Sequence, residues 1–270
     1  MTKLLLTRSG LEKLIQLVVP LAGKGSRFLE SRFNQPKPLI PIHGWPMIQH
    51  VLTNLVSQQV SKVILVSRRE YALDTIIPST IPAFPGTTFS VVNLDDFTEG
   101  PAATAILAMP LLDPDQPLVI ANSDQYINTD LTDFYSAVAS TKFSGVVMTM
   151  EDSDPKWSYV ELDPDGIVTR VVEKQVVSSF ATTGVYGFRS ASLFAMAYER
   201  MLTANDRTNG EFYVGPSYNF LDVKGPPVLN FGVGPLGGVM FGLGIPEDLE
   251  QFLSSEVSLK SAQLVEARFG

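Results

Sequence analysis

The sequence contains no cysteine, which excludes disulfide stapling and any zinc–thiolate centre. Histidine is nearly absent: only His43 and His50 occur, and two isolated imidazoles do not make a metal cluster, so both are read as structural. Basic charge is scarce, with 20 Lys and Arg against 28 Asp and Glu for a net charge of −8. That balance argues against nucleic acid as a partner and requires that any site for a polyanion concentrate its cations locally. Long apolar runs are missing too. The opening MTKLLLTRSG holds only three consecutive leucines, far short of a signal-peptide core or a membrane span, which implies a cytoplasmic protein with no membrane partner.

What is present is a chain of 270 residues, 45% of them hydrophobic, enough to bury a large core as one α/β domain. Apolar runs at 14–20, 62–66, 88–93, 117–121 and 145–150 alternate with helical patterns beginning near Pro46, Glu70, Pro101 and Leu131. This alternation predicts a Rossmann-like, mostly parallel sheet flanked by helices, with ligand-binding loops along the carboxyl edge of its strands. After Met150 the pattern changes to strand-like segments at 158–162, 167–173 and 182–189, with a DPDG turn at 163–166. This second region is expected to form an inserted acceptor-binding β region with a lid character. Helices at 191–202 and 246–259 complete the chain. The expected organisation is a 1–14 extension and one domain at 15–270. Its nucleotide-binding part is 15–150; its acceptor-binding part with the C-terminal helix is 151–270.

The stretch 17–47, LVVPLAGKGSRFLESRFNQPKPLIPIHGWPM, carries the first chemical signal. An apolar strand runs into Leu21, Ala22, Gly23, Lys24, Gly25 and Ser26, where the glycines allow close backbone approach and several N–H groups can converge on one anion. Arg27 adds a planar, permanently charged fork and Lys37 a point charge. Taken alone, a GxG is more often an ordinary tight turn beside two solvated cations. The loop has neither the spacing of a P-loop nor the GxGxxG of a dinucleotide fold. The second signal is Asp124 in VIANSDQYI, set just beyond a buried strand. A carboxylate there can hold Mg2+, which bridges phosphate oxygens; a turn-forming Asx residue is the plain alternative. The third is the adjacent pair Glu173 and Lys174. Neighbouring strand residues point to opposite faces, so only a local irregularity could bring both to one ligand.

Together GKGSR and PKPLIP resemble the signature of the sugar-1-phosphate nucleotidyltransferases, a GxG[ST]R followed by PKPLxP, matched at Gly23, Gly25, Ser26, Arg27, Pro36, Lys37, Pro38, Leu39 and Pro41. The resemblance extends over nearly everything after Ile15. It implies a GT-A-like nucleotidyltransferase fold, in which an acceptor phosphate attacks the α-phosphorus of an NTP and pyrophosphate leaves. It further implies that Arg27, Lys37 and Asp124 are catalytic, with Asp124 on Mg2+, and that Leu21 to Ser26 hold the nucleotide with Gly100 against the base. Glu173 and Lys174 would orient the acceptor, as in the family's EKP segment, although Gln175 replaces the proline. ATTGVYGF resembles its TGxY segment and implies Thr183, Gly184 and Tyr186 as acceptor-wall residues. The segments WSYVELD and EKQVVSSFATTGVYGF are similar to those of a branch serving surface-polysaccharide synthesis. One departure stands out: many hexose-specific relatives carry a second metal-binding aspartate where this chain has Gly242. Glu211 or Asp248, water, or the acceptor itself could make up that ligand, and Asp248 is equally a first-turn acid favoured by a helix dipole.

The expected partners are therefore an NTP and a phosphorylated small molecule, with homo-oligomerisation left open. Two other readings stand beside this one. A GT-A glycosyltransferase would want a DxD-like pair, but Asn122 occupies the earlier position. A non-catalytic nucleotide-sensing subunit would tolerate Gly242 but has no need of Arg27, Lys37 and Asp124. Trp157 and Tyr159 either line the acceptor pocket or pack beneath it, and base identity rests on backbone groups that a sequence does not display.

Overall fold

The computed structural model describes residues 15–23, 25, 28, 33, 35–235 and 238–270. The expected extension at 1–14, and with it the start of the first strand at Leu14, lies outside the described residues. The first half runs β1 (Ile15–Leu21), a short hairpin of β2 (Pro41–Ile42) and β3 (Trp45–Pro46), α1 (Met47–Leu55), β4 (Val60–Arg68) and α2 (Leu73–Thr80). It continues through β5 (Thr88–Leu94), α3 (Pro101–Ala105), β6 (Leu118–Ala121), β7 (Gln125–Ile127), α4 (Thr132–Val138) and β8 (Gly145–Glu151). The second half contributes β9 (Ser158–Leu162), β10 (Ile167–Glu173), β11 (Phe180–Phe188), α5 (Ala191–Ala204), β12 (Val228–Pro235), β13 (Met240–Gly242), α6 (Pro246–Leu253) and α7 (Glu256–Phe269).

Among the described residues nine strands form one sheet, in the order β5-β4-β1-β6-β11-β8-β12-β10-β9. The apolar alternation of β1 explains its central place: Leu17 and Val19 face one hydrophobic core and Val18 the other, so the strand is buried on both faces. Helices α1, α2, α4 and α6 cover the first face, and α3 and α5 the second. The α/β class with helices on both faces is as expected. The mostly parallel sheet holds for β5, β4, β1 and β6 and again where β12 meets β8. Elsewhere the expectation is corrected to a mixed sheet. β11 lies antiparallel to both β6 and β8, and β10 antiparallel to β12 and β9. The links from β8 through β11 are short turns without the crossover helix that parallel pairing requires.

Two helix expectations are also corrected. The closing helix is broken into α6 and α7, because Ser255 is extended (φ −88°, ψ 152°) and its Oγ accepts the Ser258 N–H at 3.2 Å, an N-cap for a new helix. The helix expected from Glu70 starts at Leu73, after a single 3-10 turn closed by a left-handed Ala72 (φ 49°). Both histidines are structural. His50 is buried between α1, β2 and α7, with Nε2 2.9 Å from the Ile42 carbonyl and Nδ1 2.7 Å from Ser261 Oγ. The carbonyl can only accept, so Nε2 carries the proton and Nδ1 accepts from the serine. His43 Nε2 meets Ser258 Oγ at 2.9 Å.

Candidate active site

The parallel half ends its strands on one edge, and two cavities open there, of about 780 and 260 Å3. They share the wall made by Gly25, Lys37, Pro101, Asn122, Asp124 and Glu211.

The smaller cavity follows β1. Leu21, Ala22, Gly23, Gly25 and Gly100 all line it, while Lys24, Ser26 and Arg27 lie outside the described residues. Tyr71 donates its hydroxyl to the Gly23 carbonyl at 3.1 Å, tying the start of the loop to the 3-10 turn that precedes α2. At Gly100 the backbone is held at φ 118°, and a Cβ would fall 2.6 Å from the Phe212 carbonyl oxygen. That crowding arises because the Phe212 backbone bonds both Glu99 (2.7 Å) and Ala102 (3.0 Å), bringing a distant segment against the loop before α3.

At the shared wall Lys37 Nζ donates to Asp124 Oδ2. Lys37 opens the short 3-10 turn Lys37–Leu39 after Pro36. Asp124 stands between β6 and β7, its carbonyl accepting the Leu243 N–H at 2.7 Å. A Cβ at Gly244 would lie 2.7 Å from Asp124 Oδ2, so this glycine leaves the carboxylate its space. Both side chains stay partly accessible, at 20% and 25%.

In the larger cavity the irregularity needed at Glu173 and Lys174 is present. Lys174 has φ 55°, a left-handed turn at the end of β10, and both residues line the cavity. Lys174 Nζ donates to Tyr213 Oη at 2.6 Å, and Tyr213 donates to Glu211 Oε2 at 2.7 Å. Glu173 Oε2 accepts from Ser158 Oγ, directly across the β9–β10 ladder. Burial pushes the Glu173 carboxyl above its ordinary pKa; the Ser158 hydrogen bond and Lys174 oppose that, and Glu211 adds to it.

Gly184 and Tyr186 line this cavity, but Thr183 does not. Strand alternation turns Thr183 to the opposite face, where it is buried with Oγ1 3.4 Å from the Met148 carbonyl; Thr182 faces the cavity in its place. Trp157 is in the wall, whereas Tyr159 is fully buried beneath it and donates to the Asp154 carbonyl at 2.8 Å. Thr182, Ser158, Lys156 and Tyr213 were not singled out as cavity residues in the sequence: Thr182 and Ser158 lie within the segments ATTGVYGF and WSYVELD, but each of the four is placed by cross-strand register or by a loop.

Gly242 pairs with Gln125 across β13 and β7, in the cavity wall. A Cβ there would sit 2.9 Å from Asp248 Oδ2 and 3.3 Å from Trp157. Asp248 is therefore the carboxylate nearest the departure, and it is held by Lys156 Nζ at 3.1 Å from each oxygen. Among the described residues no group of three His, Asp or Glu side chains is gathered as a metal cluster.

Fold and cavities define an α/β protein in which two cavities meet at one charged wall. Residues 18–212 match the family model of the nucleotidyl transferases, and the chain belongs to that family. It is 25% identical over 228 residues to the bifunctional protein GlmU of Levilactobacillus brevis, covering 77% of this chain and 44% of that protein. To GlmU of Burkholderia ambifaria it is 29% identical over 166 residues, covering 61% and 34%. The chain thus spans between a third and a half of the length of these relatives. A nucleoside-diphosphate-sugar pyrophosphorylase from Vibrio cholerae RC9 shares the fold with a TM-score of 0.77 at 22% identity, covering 88% of this chain and 100% of that one. The inositol-1-phosphate CTP transferase of T. maritima does so with a TM-score of 0.72 at 16% identity, covering 95% and 98%.

Proposed function

We propose that the protein transfers a nucleoside monophosphate from an NTP to a sugar 1-phosphate, releasing pyrophosphate, and works in the cytoplasm on precursors of surface polysaccharide. The observation that carries the reading is the Lys37–Asp124 pair on the wall common to both cavities. The smaller cavity, lined almost wholly by the first half of the chain, takes the nucleotide; the larger takes the acceptor. Proteins of the same fold handle, by their names, a nucleoside-diphosphate sugar and inositol 1-phosphate. The polysaccharide role is supported by the resemblance of the segments around Trp157 and Glu173.

The chemistry asks little covalent work of the protein, because an acceptor phosphate is already an anionic nucleophile. Positioning and charge neutralisation supply the rate. Lys37, released from Asp124, would sit between the α-phosphate and the incoming phosphate. Arg27 would stabilise charge on the leaving pyrophosphate, and the backbone from Leu21 to Ser26 would cradle the triphosphate with Gly100 against the base. Glu173 would accept from acceptor hydroxyls, with Lys174 on the acceptor phosphate and Gly184 and Tyr186 as its wall. The donor set suits Mg2+: one accessible carboxylate, with the room Gly244 leaves it, matches an ion that keeps several waters and takes phosphate oxygens. Asp124 would hold the ion, which when bound offsets phosphate charge.

A pyrophosphate-release screen of four NTPs against sugar 1-phosphates and amino-alcohol phosphates tests the reading, and release with no pair would overturn it. Calorimetry tests the metal assignment: Mg2+ should tighten NTP binding in the wild type and not in Asp124→Asn, which keeps its metal-free affinity. The coupling is reciprocal, so NTP should tighten Mg2+ by the same factor. Equal tightening in the variant would remove Asp124 from the metal.

A further inference from the structure

Glu173 stands among hydroxyls. Ser158 Oγ donates to its Oε2, and the Tyr186 hydroxyl, close enough to feel the Glu173 charge, lies 2.9 Å from Thr182 Oγ1. Ser158, Tyr186 and Thr182 are each at least nine-tenths buried, and all three line the larger cavity. An ionised carboxylate has lone pairs only, so it fixes the direction of every bond behind it. With its one O–H donated to Glu173, Ser158 can only accept from Tyr186, and a Tyr186 that donates onward accepts from Thr182. Each bond polarises the next.

The backbone is built to permit this. In a regular strand, residues four apart are separated by about 13 Å, too far for Thr182 and Tyr186 to meet so closely. In β11 the register shifts between these two residues, and Gly184 has φ 80°. A side chain at Gly184 would collide with the Asn122 and Gln125 amides. Lys174, the cation next in sequence, has a left-handed φ and is bonded to Tyr213 in the same cavity.

We propose that Thr182, Tyr186 and Ser158 form a one-way hydroxyl relay that positions Glu173, with Ser158 as the positioning residue that occupies one carboxylate oxygen and leaves the other for a hydroxyl of the acceptor. This deepens the transfer reading and rests on it for the ligand. The relay is uncharged, so it orients the carboxylate without neutralising it and favours an acceptor that offers hydroxyl donors. The charged and titratable groups acting on Glu173 are Lys174, one residue beyond the end of β10, Glu211 from the loop before Phe212, and Tyr186 from β11.

Ser158→Ala removes the hydrogen bond that, among the described residues, holds the Glu173 carboxyl down. Its pKa should then rise further, and the acidic limb of kcat/KM for the acceptor should move to higher pH. The acceptor KM should rise by roughly ten- to a hundredfold, the scale of one hydrogen bond to a charged group, with the NTP KM unchanged. Ser158→Thr should restore both, and Tyr186→Phe, which keeps the ring, should give a weaker shift in the same direction. Carbon-13 titration of the side-chain carboxyls, with Glu173 assigned through Glu173→Gln, reads the same shift in the resting protein without turnover. An active wild type whose acidic limb and Glu173 titration are unmoved by Ser158→Ala would overturn the relay alone. A Glu173 titration that moves in a protein inactive with every NTP and acceptor would support the relay geometry and overturn the acceptor it serves.

Discussion

Lys37 and Asp124 are partners in an ion pair that water reaches from two sides, at 20% and 25% exposure. Such a pair contributes under about 1 kcal/mol to stability, so it can be opened by a ligand at small expense. Lys37→Ala is accordingly expected to leave the unfolding midpoint nearly unchanged while lowering turnover by roughly two to three orders of magnitude, the scale of one preorganised electrostatic group. Pyrophosphate release beside a denaturant curve checks both halves, and near wild-type release from a folded variant would make Lys37 a surface cation. Each of the two residues could be singled out from its motif. Their meeting across 87 residues could not, because it depends on how the turn after Pro36 is laid against the loop after β6. Thr183 shows the opposite case: a motif drew attention to it, and the parity of β11 put Thr182 in the cavity instead.

At the scale of elements, the strands of the parallel half were legible because burial on both faces leaves a continuous apolar run. The turn 163–166 likewise announced the β9–β10 hairpin, but pairing counted from that turn would set Ser158 opposite Val172. A register shift between Val168 and Arg170 moves the ladder by one and sets Ser158 opposite Glu173. Bulges of this kind re-aim side chains and leave little trace in composition. The break between α6 and α7 was missed for a related reason, since apolar periodicity continues through it and only the cap interrupts it. Ser255→Ala removes that cap and is expected to reduce stability by about 1 kcal/mol. Urea denaturation should register it, with pyrophosphate release at saturating substrates unaffected; no loss of stability would mean that packing of α7 alone sets the break.

Across the whole molecule, His50 ties α1 and β2 to the C-terminal helix from a fully buried position. Burial lowers its pKa to about 4 from 6.5; the Ile42 carbonyl opposes this and His43 adds to it. The folded state therefore refuses a proton that the unfolded chain accepts. Stability should be full above about pH 6.5 and decline as pH falls toward 4, by up to about 3 kcal/mol from this group. Denaturant unfolding at a series of pH values should show the slope in the wild type and a flatter one in His50→Gln. An identical slope in the variant would assign acid sensitivity to other groups.

Residue order alone determined the α/β alternation, the glycine loop, the lysine after it and the aspartate beyond β6. These depend on short-range rules: burial periodicity, glycine freedom and the chemistry of a strand end. Only the tertiary structure decided that β11 enters antiparallel, that Lys174 turns left-handed beside Glu173, that Gly100 is pressed against Phe212, and that Asp248 lies over Gly242. Those outcomes join segments tens of residues apart, and their energies arise from contacts that exist only after the sheet has formed.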